Sequence, residues 1–194
     1  MTTLAGARLL IVEDDPDTVE LLGEQLAPEG YDLSFALNGE DAILRTGADV
    51  APDLVIMDVM MPRLDGLETT RFFKARYKDR FLPVMILSAK GDRESIAEGI
   101  RMGVDDYMTK PYSGSVLKER ISRLLELKSA EDALAAAESP SAADDLANLR
   151  LSMAEDFTER GLFGLAREYL SRNTEIVPDH AGSIDLLSRI AGRD

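Results

Sequence analysis

The sequence predicts an α/β fold: a five-stranded parallel sheet doubly wound by helices and followed by a small all-α C-terminal region. Two patterns carry that prediction. Short apolar runs at residues 8–12, 31–36, 53–57, 82–87 and 104–108 alternate with longer amphipathic segments at roughly 16–27, 39–48, 65–77, 92–101 and 114–127. Beyond residue 128 only helical periodicity remains.

Each element has a local reason. The run Leu9-Leu10-Ile11-Val12 shows no polar alternation, as expected of a central parallel strand covered on both faces. The amphipathic segment after it meets the breaker Pro28-Glu29-Gly30, and the run at 31–36 alternates polar with apolar residues, which suits an edge strand. Asn38-Gly39 opens the second helix, Ala51-Pro52 precedes the apolar Leu54-Val55-Ile56-Met57, Asp65-Gly66 opens the third helix, and Gly103 closes the fourth. Residues 131–138 are alanine-rich and helix-prone until Ser139-Pro140-Ser141 interrupts them, so the last helix of the first domain can extend to about residue 138. The chain therefore divides into a domain of residues 1–128, a helical extension and linker at 129–141, and a helical region at 142–194.

Composition narrows the function classes. A length of 194 residues fits one full domain plus a small appendage, and 45% hydrophobic with 30% charged residues suits a folded chain. The net charge is -14, with 16 basic against 23 acidic residues up to position 128 and 6 against 13 beyond it. Neither part offers the basic stripe that replaces phosphate counterions, so no nucleic-acid partner is expected. With no cysteine, disulfides, thiolate metal sites and cysteine catalysis are excluded. The first residues lack a signal-peptide core and no apolar stretch approaches the ~20 residues of a membrane span, so we expect no membrane insertion and a cytoplasmic location.

Polar residues stand at the ends of four of the apolar runs: Glu13-Asp14-Asp15, Asp58, Ser88 and Lys110-Pro111. In an open parallel sheet such ends converge in space. Crowded carboxylates repel one another, and an oxygen-seeking cation such as Mg²⁺ relieves that repulsion. Lys110 can neutralise an incoming phosphoryl group, the Ser88 hydroxyl can donate to a phosphoryl oxygen, and Asp58 is the natural nucleophile. Taken singly, each has a plain reading: a solvated acidic loop, a surface lysine, a turn serine. Their company promotes them. Met57, Met85, Met102 and Met108 read as core fillers, and His180, the only histidine, reads as exposed and inert.

The motifs Ile11-Val12-Glu13-Asp14-Asp15, Met57-Asp58-Val59-Met60-Met61-Pro62 with Asp65-Gly66 following, Leu87-Ser88-Ala89, and Asp105-Asp106-Tyr107-Met108-Thr109-Lys110-Pro111 occur in that order. Over residues 8–127 they resemble the receiver domain of bacterial two-component response regulators, chemotaxis-regulator-like in type. The resemblance implies a flavodoxin-like sheet of order 2-1-3-4-5 and a phosphorelay role, in which a histidine kinase or phosphotransfer protein passes a phosphoryl group to Asp58. It implies Mg²⁺ held by Asp14, Asp58 and the backbone carbonyl of Met60, with Glu13 acting directly or through water and Asp15 in an outer position. Ser88, next to Ala89, would swing toward the phosphoryl group, and Tyr107 would turn inward behind it, remodelling the surface of the fourth and fifth helices. Lys110-Pro111 resembles the family's cis peptide, which would aim the ammonium into the site. Met60 and Lys90, two positions beyond Asp58 and Ser88, are not the acidic or amide residues that position an attacking water, which implies self-dephosphorylation over many minutes. A homodimer through the helices at 93–101 and 115–123 is a further implication, and no enzyme activity on a separate substrate is expected.

Residues 147–180 resemble a tetratricopeptide repeat in part: Met153, Ala154 and Phe157 in a first helix, Gly161 at the turn, Ala166 and Leu170 in a second, and Pro178 at the close. Arg150 stands where an aromatic is expected. One repeat cannot bury its own apolar face, so a downstream protein partner docking on these helices is expected, with residues 181–191 as a capping helix. A generic small helical bundle is the plain alternative. A DNA-binding output competes, and the mixed, acidic character of residues 154–172 argues against it. A phosphate-independent scaffold is disfavoured because no site residue is missing. A haloacid-dehalogenase-type phosphatase is disfavoured because Asp58 is followed by Val59-Met60 rather than by x-Asp.

Overall fold

A computed structural model describes residues 4–46, 51–136 and 142–193 and divides the chain into two units, residues 1–128 and 129–194. The expected interruption at Ser139-Pro140-Ser141 lies outside the described residues. In the first unit, strands β1 (Arg8–Val12), β2 (Asp32–Ala36), β3 (Leu54–Met57), β4 (Val84–Ser88) and β5 (Asp106–Thr109) form one parallel sheet in the order β2-β1-β3-β4-β5. Helices α1 (Pro16–Leu26), α2 (Gly39–Arg45), α3 (Gly66–Arg76), α4 (Arg93–Arg101) and α5 (Gly114–Ala135) connect and extend it. The strand order reverses beside β1, and that is where loops leave the sheet in opposite directions and open a crevice.

Burial follows the apolar patterns. Every residue of β3 and β4 is buried, whereas β2, at the edge, alternates. Leu10, Val12, Val55 and Met57 pack in one cluster with Phe73, Tyr77 and Tyr107. In this unit, four helices start on side-chain caps: Asp15, Asn38, Asp65 and Asp92 accept the N–H of Thr18, Asp41, Glu68 and Ser95, which satisfies amide groups that the first turn leaves free. Hence α3 and α4 begin one residue later than their amphipathic segments.

The fourth and fifth strands begin two residues later than the apolar runs suggest. Pro83 has no N–H to give a ladder, and β4 starts at Val84. Asp105 is 1% exposed, and its carboxylate accepts the Val84 N–H at 2.7 Å and pairs with Lys74, so it ties β4 to α3 instead of opening β5. The segment after β2 ends as helix at Arg45, and α5 ends at Ala135, three residues short of the expected limit of 138.

The second unit is helical: α6 (Ala142–Glu159), α7 (Phe163–Ile176) and α8 (Ala181–Ile190). Leu146, Met153, Ala154 and Phe157 of α6 are buried with Leu165, Ala166, Tyr169 and Leu170 of α7, and Phe157 meets Tyr169 edge-on at 5.3 Å. Gly161 turns the chain between them at φ 74°, a left-handed conformation that suits glycine. α8 packs on both helices through Leu186 and Ile190, which covers apolar surface that a lone helix pair leaves open. Arg150 is only 4% exposed and pairs with Glu131, so a charge pair occupies the position where an aromatic was expected. His180 departs from the exposed, inert expectation: Nδ1 accepts the Ser183 N–H to cap α8, and Nε2 lies 3.3 Å from Asn148 Oδ1. Fully buried Asn173 donates to the Ala147 carbonyl at 2.7 Å and to Ser183 Oγ at 3.0 Å, joining all three helices through polar groups. Among the described residues no helix is long and apolar enough to cross a membrane.

Candidate functional site

β1 lies beside β3, so the chain leaving Val12 runs next to the chain leaving Met57, and the Asp58 N–H donates to the Val12 carbonyl at 2.9 Å. This brings oxygens of Glu13, Asp14 and Asp58 within 4.8 Å of one another. Glu13 and Asp58 are 3% and 7% exposed, while Asp14 is open to solvent. From the end of β5, Lys110 sends Nζ to 2.7 Å from Glu13 Oε2 and 3.4 Å from Asp58 Oδ1, and the Lys110–Pro111 bond is cis.

Burial pushes the Glu13 carboxyl above its ordinary value, and the neighbouring charge of Asp58 adds to this against the opposing pull of Lys110. Burial alone would lower the Lys110 ammonium, but its hydrogen bond to Glu13 and the charge of Asp58 outweigh that and hold it above its usual range. The ammonium thus offsets part of the negative charge that three clustered carboxylates create. These donors are hard oxygens without nitrogen or sulfur, a set that fits a small divalent cation.

Other expected site residues are arranged around this centre. Asp58 Oδ2 accepts the Met60 N–H at 3.0 Å, and the Met60 side chain is 57% exposed. Ser88 ends β4, between the strands that carry Asp58 and Lys110, and is fully buried; its Oγ accepts the Lys90 N–H at 3.1 Å, while Ala89 is exposed. Tyr107 points inward at 3% exposure and donates its hydroxyl to the Lys90 carbonyl at 2.7 Å. Burial raises its phenol, and a hydrogen bond with Ser88 counteracts this. Asp15 is not part of the carboxylate group; it caps α1, and its hydrogen bond with the Thr18 hydroxyl lowers its carboxyl. Beside that cap, its backbone N–H donates to Glu13 Oε1 at 3.5 Å, so it borders the carboxylate group without joining it. Sequence reasoning also missed Tyr112, whose phenol is raised by burial and eased by the Lys110 charge. The signal available was its place immediately after Lys110-Pro111.

A family model described as the response regulator receiver domain matches residues 9–122. The chain belongs to that family. The receiver is 36% identical over 118 residues to the "Alkaline phosphatase synthesis transcriptional regulatory protein PhoP" of Bacillus subtilis, a match covering 61% of this chain and 48% of that protein. It is 37% identical over 128 residues to "Response regulator MprA" of Mycobacterium tuberculosis, covering 66% of this chain and 54% of the relative. Among solved structures, a putative response regulator from Chloroflexus aurantiacus superposes with a TM-score of 0.59 at 31% identity, covering 62% of this chain and 98% of that one. A receiver domain of a signal transduction histidine kinase from Syntrophus aciditrophicus gives 0.58 at 35% identity, covering 62% and 91%. The receiver match spans about half the length of the curated relatives, and residues 129–194 lie beyond the family match.

Proposed function

We propose that this response regulator is switched by phosphorylation at Asp58. A histidine kinase or phosphotransfer protein presents phosphohistidine; the N–P bond breaks as an Asp58 carboxylate oxygen forms the new P–O bond, and the imidazole leaves with the electron pair and takes up a proton. The observation that carries this reading is the buried Asp58 carboxylate, gathered with Glu13 and Asp14 within 4.8 Å and 3.4 Å from the Lys110 ammonium. Asp14, Asp58 and the Met60 backbone carbonyl, with Glu13 directly or through water, are the groups that would hold Mg²⁺. When bound, the cation supplies charge neutralisation for the acceptor carboxylate and the incoming phosphoryl oxygens. Lys110 steadies the same oxygens, and Ser88 moves from the Lys90 N–H to donate to one of them. Tyr107, already inward, keeps that side of the site closed.

Incubation with acetyl phosphate and Mg²⁺ tests this reading by intact mass. One phosphoryl increment is expected, and chelating Mg²⁺ should prevent it; an adduct of equal yield without the cation would count against the carboxylate group as its holder. The increment should decay over many minutes, because neither Met60 nor Lys90 can orient a hydrolytic water. Decay within seconds would refute that assignment. The raised Glu13 carboxyl also sets a pH dependence: protons compete for it at values above its ordinary 4.5, so affinity for Mg²⁺ should weaken on acidification before that point is reached. Titration calorimetry at about pH 7.5 and about pH 4.5, where a carboxyl raised above its ordinary value is more than half protonated, should show weaker binding at the lower value, and equal affinities would remove Glu13 from the cation's surroundings.

The output we propose is a protein interaction through the helices of the second unit, repeat-like in its α6 and α7 pair. Of the six basic residues beyond position 128, Arg150, Arg160, Arg172 and Arg189 are each paired with a carboxylate, leaving little free positive charge to meet phosphates. The name of the PhoP relative favours a second reading, a DNA-binding transcriptional output. Steeply salt-dependent binding to duplex DNA would establish that reading in place of the first. A cytoplasmic location and a two-fold contact of receivers through α4 and α5 belong to the same proposal.

A further inference from the structure

The segment Arg71-Phe72-Phe73-Lys74-Ala75-Arg76-Tyr77-Lys78-Asp79-Arg80 runs against the charge of the molecule. It carries five basic residues and one acidic residue, a net +4 in a chain of net -14, so all other residues together sum to -18. It covers the second half of α3 and the turn after it, and none of its residues belongs to the Asp58 site. Cations in the last turn of a helix complement its dipole, which accounts for Lys74 and Arg76. Lys74 is moreover turned inward to Asp105 and the Leu82 carbonyl. That explanation does not reach Arg71, Lys78 or Arg80.

Arg71, Arg76 and Lys78 are exposed and make no ion pair among the described residues. Aromatic rings hold two of the guanidinium groups in place. Arg76 lies 5.9 Å from the Phe72 ring and 5.8 Å from the Tyr77 ring, and Arg80 lies 5.5 Å from Tyr77 while donating to the Pro52 carbonyl at 3.2 Å. Phe72 itself is 40% exposed, next to the fully buried Phe73. Planar guanidinium groups resting on rings have less freedom left to lose on binding a carboxylate.

We propose that this patch docks a short acidic segment of a partner protein, with carboxylates on Arg71, Arg76 and Lys78 and an apolar side chain on Phe72. Charge complementarity selects the occupant. The remaining surface repels anions, so an acidic segment is attracted here and oriented by the contrast. Duplex DNA is a poorer fit: it carries one charge per ~1.7 Å, whereas the helical part of the patch, from Arg71 to Arg76, spans only about 8 Å at ~1.5 Å per residue. A duplex long enough to bind would lay further phosphates along acidic surface, and a short peptide would not.

The test uses the whole chain and fluorescence anisotropy, with a labelled Glu/Leu peptide, a matched Gln/Leu peptide and random duplex DNA as probes. The Glu peptide should bind at least about tenfold more tightly than the Gln peptide, and its binding should weaken between ~50 and ~200 mM NaCl. The triple variant Arg71→Glu, Arg76→Glu, Lys78→Glu should lose about tenfold or more for the Glu peptide while keeping the wild-type unfolding midpoint and phosphoryl uptake. Phe72→Ala should lose a smaller part that salt does not change. If the triple reversal unfolds the chain, Arg71→Gln with Lys78→Gln, which leaves Arg76 on its rings, is read by the same loss. Equal binding of the Glu and Gln peptides, wild-type affinity in the charge variants, or tighter binding of DNA than of the Glu peptide would overturn the proposal.

Discussion

Asp58→Asn is expected to abolish the phosphoryl adduct, leaving less than about 1% of wild-type uptake from acetyl phosphate, because an amide offers no anionic oxygen to attack phosphorus. The protein should nevertheless stay folded. Asp58 is one of the charges that raise Glu13, so removing it relieves a repulsion, and the Met60 N–H can still find the amide oxygen. The urea midpoint should therefore correspond to a stability within about 1 kcal/mol of wild type or slightly above it. Intact mass and denaturation read on the same sample separate the two effects. Wild-type uptake in the variant would locate the acceptor elsewhere.

Gly66→Ala should have the largest structural effect of any single methyl group added near the site. A Cβ at Gly66 would stand 2.0 Å from the Asp58 carbonyl oxygen and 3.0 Å from Met57 Cγ. The nearest obstacle is backbone rather than the tip of a flexible side chain, and the Gly66 N–H is tied to the Val59 carbonyl at 3.1 Å. Either the start of α3 or the end of β3 must move, which costs about 3 kcal/mol or more and displaces the acceptor carboxylate. Loss of stability in urea together with loss of the Mg²⁺-dependent adduct is expected. Gly161→Ala is the comparison: its φ of 74° carries backbone strain, but nothing lies within 4 Å of the added Cβ, so uptake should persist. Unchanged stability in Gly66→Ala would show that the loop after Asp58 does not press on α3.

Much of this architecture is legible along the chain because its causes are local. Uninterrupted apolar runs specify strands buried on both faces, alternation at 31–36 specifies an edge, and a carboxylate directly after Leu54-Val55-Ile56-Met57 specifies a strand-end acid. What escaped detection depends on partners far away in sequence. Asp105 reads as the start of a strand until Lys74, 31 residues earlier, and the Val84 N–H claim its carboxylate. His180 reads as solvent-exposed until Asn148, 32 residues before it, meets its Nε2. The basic patch at 71–80 is diluted in the totals of an acidic chain and becomes a surface only when Lys74 turns inward and Arg71, Arg76 and Lys78 are left outside.

By itself, the order of residues determined the α/β class, the strand-end positions of Asp58, Ser88 and Lys110, and the change to helices beyond position 128, since each follows from periodicity and turn chemistry within a few residues. Only the tertiary structure decided which of three consecutive acids does what. Glu13 is buried against Lys110, Asp14 faces solvent within reach of Glu13 and Asp58, and Asp15 turns to cap α1. Their spacing is identical, and the difference arises from the bend between β1 and α1, which points successive side chains toward a neighbouring strand, toward solvent and toward a helix terminus.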